Sequence, residues 1–242
     1  MAIAGMNDRL LERRCDTQEA LIDTLAKDVA SQMTKAVALR GAASAVVSGG
    51  TTPGPFYDRL SNLTAPWDRV VVTLADERWV QAEDDRSNAR LVRARLVRNR
   101  AANARFVGLK TADVEPEQAE AAVDGVIRGL PRPFDLVLLG MGEDGHTASL
   151  FPHAPGLAAA LDVNDPALAR AMRPAAPDGA ITPRMTLSLR ALLDSRRIVI
   201  LFTGQAKFLT WRWAMNPGAV EEMPVRAVLR QTSVPVEIWW AP

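Results

Sequence analysis

Residues 134–152, FDLVLLGMGEDGHTASLFP, decide the fold expected for this chain. They begin with an uninterrupted apolar run, Leu136 to Leu139, which is typical of a strand buried on both faces of a parallel sheet. The glycine-rich segment GMGEDG and then His146 follow this run directly. Ligands of open parallel sheets bind just beyond the carboxyl ends of the strands. The stretch therefore predicts an α/β protein whose chemistry takes place at this strand end.

The same glycines also satisfy a dinucleotide-binding pattern, G-x-G-x-x-G, at Gly140, Gly142 and Gly145. That pattern has meaning only where a full helix follows and a second strand ends in an acidic residue about 20 positions on. Pro152 interrupts any long helix here. We therefore favour a loop whose N–H groups face a ligand oxygen, with His146 beside it as a general base rather than as a simple cap of the strand end.

The composition excludes several classes of protein. The 242 residues carry 29 Lys and Arg against 28 Asp and Glu, so no overall field attracts nucleic acid or a membrane surface. Cys15 is the only cysteine, which excludes an internal disulfide and a thiolate metal cluster. The first twenty residues are too charged for a secretion signal, and no run approaches the roughly 18 apolar residues of a membrane span. We expect one cytoplasmic domain over residues 1–242.

A small-residue loop follows another predicted buried strand, at 43–47. Ser48, Gly49 and Gly50 are followed by two threonines and then by Pro53, which suits the first turn of a helix. Glycines let the backbone approach a ligand closely, and a helix N-terminus carries partial positive charge. The segment is either a phosphate cradle or an ordinary strand-to-helix turn.

Charged residues follow two further predicted strands. Asp76 and Arg78 come just after the strand at 70–74, where they form either a solvated turn or part of a site that handles a proton and an anion. Lys207 follows the strand at 198–202, in the first turn of a helix. A cation there opposes the helix dipole unless an anion is present, so Lys207 is a candidate anion ligand.

The remaining periodicities complete an alternation of strands and helices. The predicted helices are 17–39, capped by Asp16 and closed by Gly41, then 88–98 and 115–128, with helical turns at 191–195 and 225–230. The predicted strands are 8–15 at an edge, 106–107, 185–189 and 236–240. The Pro- and Ala-rich region 153–183 reads as loops and short helices.

Four motifs of the chain coincide in order. They are SGGTTP at 48–53, DERWV at 76–80 with SN at 87–88, GMGEDGHTASLFP at 140–152, and TGQAKF at 203–208. Together they resemble the 6-phosphogluconolactonase family, within the superfamily of sugar-phosphate isomerases and deaminases, over nearly the whole chain. The third motif is the specific one, because a glycine loop alone is widespread.

The resemblance implies a Rossmann-like α/β fold, with a mostly parallel central sheet flanked by helices on both faces and with no metal or organic cofactor. It implies hydrolysis of 6-phospho-D-glucono-1,5-lactone in the oxidative pentose phosphate pathway, by a monomer or weak homodimer that binds neither nucleic acid nor membrane. The residues it implies are His146 to activate water, Asp76 as its acidic partner, and Arg78, Lys207, Arg184 and the Ser48, Gly49 and Gly50 backbone as phosphate ligands.

Negative charge grows on the carbonyl oxygen when water attacks a lactone. N–H groups of the loop from Gly142 to Gly145, or those of Gly49 and Gly50, are candidate donors to that oxygen. A protonated His146 then returns the proton to the departing ring oxygen.

Three other functions are compatible with parts of this sequence. Glucosamine-6-phosphate deaminases share the glycine loop and the histidine, but they continue with an apolar residue and Ala-Phe-Asn-Glu, whereas this chain has Thr147 to Phe151. A catalytically silent sugar-phosphate-binding module would keep the same polar residues. The arginines between Arg90 and Arg100 suggest a nucleic-acid surface, although they point around most of the helix.

Overall fold

The protein is described by a computed structural model that covers residues 10–174 and 182–242. The strands in these ranges are β1 Leu10–Arg14, β2 Ala43–Val47, β3 Val70–Leu74, β4 Asp76–Arg78, β5 Arg105–Val107, β6 Leu136–Leu139, β7 Ala169–Met172, β8 Arg184–Leu187, β9 Ile198–Thr203 and β10 Val236–Ala241. The α-helices are α1 Gln18–Arg40, α2 Pro53–Ser61, α3 Asn88–Arg95, α4 Pro116–Arg128, α5 Leu157–Leu161, α6 Leu189–Leu193, α7 Gln205–Ala214 and α8 Val225–Arg230.

Seven strands form a central sheet in the order β1-β10-β9-β6-β2-β3-β5, and the paired strands are parallel throughout. Helices flank this sheet, which confirms the predicted α/β class. From β2 the chain builds outward through β3 to β5, and from β6 it builds in the opposite direction through β9 to β10. The neighbours β2 and β6 therefore mark the switch point, where the strand ends leave a crevice for a ligand.

The central strands are buried over their whole length. Every residue of β2, β3 and β6 is buried, and in β9 only the last residue is partly exposed. Such strands read as continuous apolar runs because helices cover both of their faces. The interpretation of Leu136 to Leu139 as a doubly buried strand is therefore confirmed.

A second, smaller sheet rules out the solvated turn, which was one of the two interpretations of the charged residues after β3. Asp76 to Arg78 form β4, which pairs antiparallel with β8, and β8 pairs antiparallel with β7. The region 153–183 thus contains a strand, β7, where we predicted only loops and short helices; residues 175–181 lie outside the described part. A three-residue charged strand has no apolar alternation, and its partner lies more than a hundred residues away, so no local pattern predicts it.

Two predicted ends of elements also need correction. Helix α1 is capped by Thr17, whose side chain accepts from Ala20 N at 3.1 Å, and not by Asp16. Gly41 closes it in the left-handed region with φ 78°, as expected. Leu189 belongs to α6 and not to the strand before it, because Ser188 caps that helix by accepting from Ala191 N at 3.3 Å. No helix in the described ranges combines the length and apolar character of a membrane-crossing segment.

Candidate active site

A cavity of about 190 Å³ opens at the switch point, between the carboxyl ends of the strands β2, β3, β6 and β9. It is smaller than the roughly 300–1,000 Å³ of pockets that enclose drug-sized ligands, so it suits a small substrate better than a dinucleotide. Nine of the ten predicted site residues line it: Ser48, Gly49, Gly50, Asp76, Arg78, Gly142, His146, Arg184 and Lys207.

The tenth residue, Gly145, does not line the cavity but stabilises the conformation of the loop. Its φ of 79° is left-handed, its carbonyl accepts from Val225 N at 2.9 Å, and the Met223 side chain lies where a Cβ would project. Gly145 N donates to Gly142 O at 3.1 Å, and Gly142 N donates to His146 O at 2.9 Å. Both N–H groups are therefore engaged within the loop, and the two residues between them, Glu143 and Asp144, do not line the cavity. Gly49 and Gly50, the second predicted donor pair, are the better candidates.

His146 is held in one orientation by three contacts. Its Nδ1 lies 2.6 Å from Asp144 Oδ1, and its backbone N donates to the same oxygen at 3.0 Å. Its ring stacks on Phe151, with centroids 4.1 Å apart and an angle of 21° between the planes. A neutral imidazole that donates from Nδ1 to a carboxylate presents Nε2 as an acceptor. The ring is thus arranged to take a proton in the cavity.

The carboxylate beside His146 is Asp144, not Asp76. Burial raises the pKa of Asp144, but the hydrogen bond and charge of His146, together with backbone donors, outweigh it, so this pKa lies below its ordinary value. Asp144 is therefore ionised at neutral pH. Because its pKa is lowered on folding, its contribution to stability is present above the unfolded pKa and is lost as the pH falls through the folded one.

Asp76 organises a different part of the cavity. It is 5% exposed, and Ser149 Oγ donates to its Oδ2 at 2.5 Å. Asn88 Nδ2 donates to Asp76 O at 2.9 Å and to its Oδ1 at 3.2 Å, while Arg184 Nη1 lies 3.8 Å from Oδ2. No hydrogen bond joins Asp76 to His146 among the described residues, so the expected pairing of these two side chains is not formed.

Arg78 and Arg184 bring two positive charges to the same wall. They lie directly opposite each other in β4 and β8, and the Nε of each is buried without a hydrogen-bond partner among the described residues. Burial lowers the pKa of Arg184, and the neighbouring charge of Arg78 lowers it further, against the opposite effect of Asp76. Of the described residues that line the cavity, Asp76 alone is a carboxylate. The wall carries excess positive charge.

Lys207 adds a third cation from another side. It is the third residue of α7, which begins at Gln205 directly after β9, so its position in the first turn is confirmed. Lys207 makes no hydrogen bond or ion pair with any described residue, and it lines the cavity. An unpaired cation at a helix N-terminus is unfavourable unless an anion binds there.

The loop after β2 supplies backbone donors. Ser48 Oγ donates to Leu138 O at 3.0 Å, so this hydroxyl ties β2 to β6. The N–H groups of Gly49 and Gly50 donate to no protein group within the described ranges, and both residues line the cavity. Asn88 packs so closely on Gly49 that an added Cβ would lie 1.8 Å from its Oδ1. The loop thus requires glycine at this position.

Sequence reasoning missed four residues of this site: Asp144, Asn88, Ser149 and Phe151. Asp144 had a usable signal, because a carboxylate two residues before a histidine in a tight loop can reach its ring. Asn88 packs on Gly49 and Ser149 donates to Asp76, and no local pattern shows such contacts between distant segments. Phe151 lies only five residues from the histidine on which it stacks. No group of three or more His, Cys, Asp or Glu residues suited to a metal ion occurs among the residues that the structure describes.

Comparison with known proteins gives consistent results. The profile of the family described as glucosamine-6-phosphate isomerases/6-phosphogluconolactonase matches residues 16–240. A 6-phosphogluconolactonase of Mesorhizobium japonicum is 46% identical over 218 residues, covering 90% of each chain. Its counterpart in Rhizobium meliloti is 43% identical over 227 residues, covering 94% of this chain and 97% of the other. The crystal structure of a 6-phosphogluconolactonase from Shewanella baltica matches with a TM-score of 0.92 at 44% identity, covering 98% of this chain and 100% of the other.

Proposed function

Because the chain belongs to the glucosamine-6-phosphate isomerase/6-phosphogluconolactonase family, we propose that it hydrolyses 6-phospho-D-glucono-1,5-lactone to 6-phospho-D-gluconate. This is the second step of the oxidative pentose phosphate pathway. The observation that carries the proposal is that an oriented histidine and three cationic side chains line one small cavity. A phosphorylated sugar lactone needs both groups, one at the ester and one at the phosphate.

The phosphate binds to the cationic wall. Arg78 and Arg184 offer guanidinium N–H groups, which suit phosphate oxygens, and Lys207 offers an ammonium together with the start of α7. The phosphate lies on C6, remote from the ester carbon, so its binding positions the lactone and does not take part in the chemistry. An anion here also neutralises the excess positive charge of this wall.

His146 acts at the other end of the substrate. Its Nε2 takes a proton from a water molecule, whose oxygen forms a bond to C1 of the lactone. Asp144 keeps the ring in the correct tautomer and stabilises the imidazolium that forms. The N–H groups of Gly49 and Gly50 donate to the oxyanion on C1, and one such donor typically contributes about 3–4 kcal/mol. The C1–O5 bond then breaks, and the imidazolium passes its proton to O5.

Asp144→Asn is expected to lower kcat for lactone hydrolysis by about tenfold or more while KM changes little. A neutral amide stabilises the imidazolium that forms when His146 takes the proton less than a carboxylate does. Initial rates of the two proteins at limiting and at saturating lactone are the measurement. An unchanged kcat would show that Asp144 does not act through His146.

Gly142→Ala is expected to lower kcat about a hundredfold, the usual effect of a displacement of about 1 Å at a reacting group. An added Cβ would lie 2.1 Å from His146 Nδ1 and 2.5 Å from Asp144 Oδ1, so the pair must move. Gly125→Ala is the matched control, because nothing lies within 4 Å of its Cβ position in α4. The control keeps full activity and unfolds at a higher temperature. Equal activity of both variants would contradict the role of the pair.

The proposed function is tested by acid release from freshly generated 6-phosphogluconolactone, corrected for spontaneous hydrolysis. A parallel assay for ammonia from glucosamine 6-phosphate tests the deaminase alternative. Turnover of the lactone without release of ammonia supports the proposal, and the reverse result overturns it. Binding of the lactone without turnover would identify a silent binding module. Full activity in the presence of a chelator is expected, because no step of the proposed mechanism requires a metal ion.

A further inference from the structure

We propose that Asn88 recognises one hydroxyl group of the sugar ring through its Oδ1 atom, and that it is a specificity-determining residue of this site. The proposal rests on the lactonase function argued above. It concerns a side chain that has no part in the proton transfer and none in phosphate binding.

Asn88 is a buried polar residue in the wall of the cavity. It is the first residue of α3, it is 2% exposed, and it lines the same cavity as His146 and Lys207. Burying a side-chain amide costs free energy unless both its nitrogen and its oxygen have hydrogen-bond partners. Its two ends therefore need separate consideration.

The amide nitrogen of Asn88 is fully accounted for. It donates to Asp76 O at 2.9 Å and to Asp76 Oδ1 at 3.2 Å, and both of these atoms are acceptors. This assigns the amide orientation, because an oxygen in the same place would face two oxygens. Oδ1 is left on the side of Gly49, where a Cβ would lie 1.8 Å from it. No described residue donates a hydrogen bond to it.

Glu77 fixes the position of Asn88 Oδ1 by holding the backbone at the start of α3. Glu77 is 1% exposed, and its carboxylate accepts from Asn88 N and Ala89 N, each at 2.7 Å, and from Ser87 Oγ at 3.2 Å. Burial raises the pKa of Glu77, although these backbone donors favour its ionised form. The carboxylate caps α3 and holds the Asn88 backbone against β4. The acceptor is thus preorganised before the substrate binds.

The other groups of the cavity leave a hydroxyl of the sugar ring as the partner of Asn88 Oδ1. Arg78, Arg184 and Lys207 are donors and attract the phosphate, and Gly49 and Gly50 offer N–H donors to the oxyanion. Ring hydroxyls also need acceptors when they leave water. Asp76 already accepts from Ser149 and Asn88, whereas Asn88 Oδ1 accepts from none of the residues that the structure describes. A site whose wall presents a fixed acceptor discriminates against a ligand that lacks the matching hydroxyl.

The test compares Asn88→Ala with the wild-type enzyme on the parent lactone and on its 2-, 3- and 4-deoxy analogues, all as 6-phosphates. The wild type is expected to lose about tenfold in kcat/KM on one deoxy analogue, the cost typical of a lost hydrogen bond. Asn88→Ala loses a similar factor on the parent lactone and shows no further loss on that analogue. Asn103→Ala, at the exposed end of the 3-10 helix Asn99–Asn103 before β5, is the control and behaves as wild type.

Equal losses of Asn88→Ala on all four lactones would overturn the proposal, because they would indicate a purely structural role. Full activity of the variant would overturn it as well. If Asn88→Ala does not fold, Asn88→Ser serves the same comparison, since its shorter hydroxyl does not reach the position of Oδ1. A wild-type enzyme that hydrolyses none of the lactones would refute the proposed function, and this assignment with it.

Discussion

Replacing His146 with alanine is expected to lower kcat for lactone hydrolysis by about 10²–10⁴-fold, the range typical for loss of a general base. KM changes little, because the phosphate contacts lie at the far end of the substrate. The residual rate comes from the oxyanion donors and from substrate positioning, which do not need the imidazole. The measurement is the initial rate of acid release at saturating lactone, with the spontaneous rate subtracted.

The chain offers a matched control for this variant in its other histidine. His153 is exposed, and its backbone N donates to Glu221 O at 3.2 Å. His153→Ala is expected to retain full activity, since this side chain does not line the cavity. If His146→Ala hydrolysed the lactone as fast as the wild type, water would be activated by another group and the mechanism would fail.

Lys207→Met is expected to raise KM by about 10- to 100-fold, which corresponds to the loss of one hydrogen bond to a charged group. Methionine has a similar length and apolar stem but no charge, so the change isolates the ammonium group. The same variant is expected to unfold at a slightly higher temperature, because removal of an unpaired cation from the start of α7 relieves a conflict with the helix dipole of about 0.3–1 kcal/mol.

A matched control separates this effect from loss of surface charge. Lys35 is an exposed residue of α1, remote from the cavity lining, and Lys35→Met is expected to leave KM unchanged. The opposite signs expected at Lys207, weaker binding with greater stability, are the signature of a residue kept for an anion. An unchanged KM, or a large loss of stability, would show that Lys207 serves the fold instead.

The parallel sheet was predictable because each of its central strands can be recognised from the local sequence alone. Leu136 to Leu139 and Val70 to Leu74 are apolar runs bounded by glycine, proline or charge, and covering by helices on both faces requires that composition. The smaller sheet was not predictable, because Asp76 to Arg78 become a strand only by pairing with β8. The predictions of a single domain, a monomer or weak homodimer, and a cytoplasmic location remain predictions.

The site was predictable for the residues that stand at strand ends. The switch point of a parallel sheet brings those ends together, so Ser48, Arg78, His146 and Lys207 meet at one cavity although they are far apart in the chain. The partners of these residues were harder to foresee. Asp76 lies at the predicted strand end, yet its contacts are with Ser149 and Asn88, which depends on how β4 folds across the cavity.

The two sides of strand β4 have different roles, one at the cavity and one at the start of α3. Asp76 and Arg78 face the cavity, while Glu77 between them caps α3, as the alternation of a strand requires. Inserting or deleting one residue between Leu74 and Asp76 would reverse the two sides of β4. Glu77 would then face the cavity, and Asp76 and Arg78 would face α3. An insertion or deletion in the segment 81–86 beyond this strand, whose residues are exposed or half-buried, is expected to leave the alternation intact.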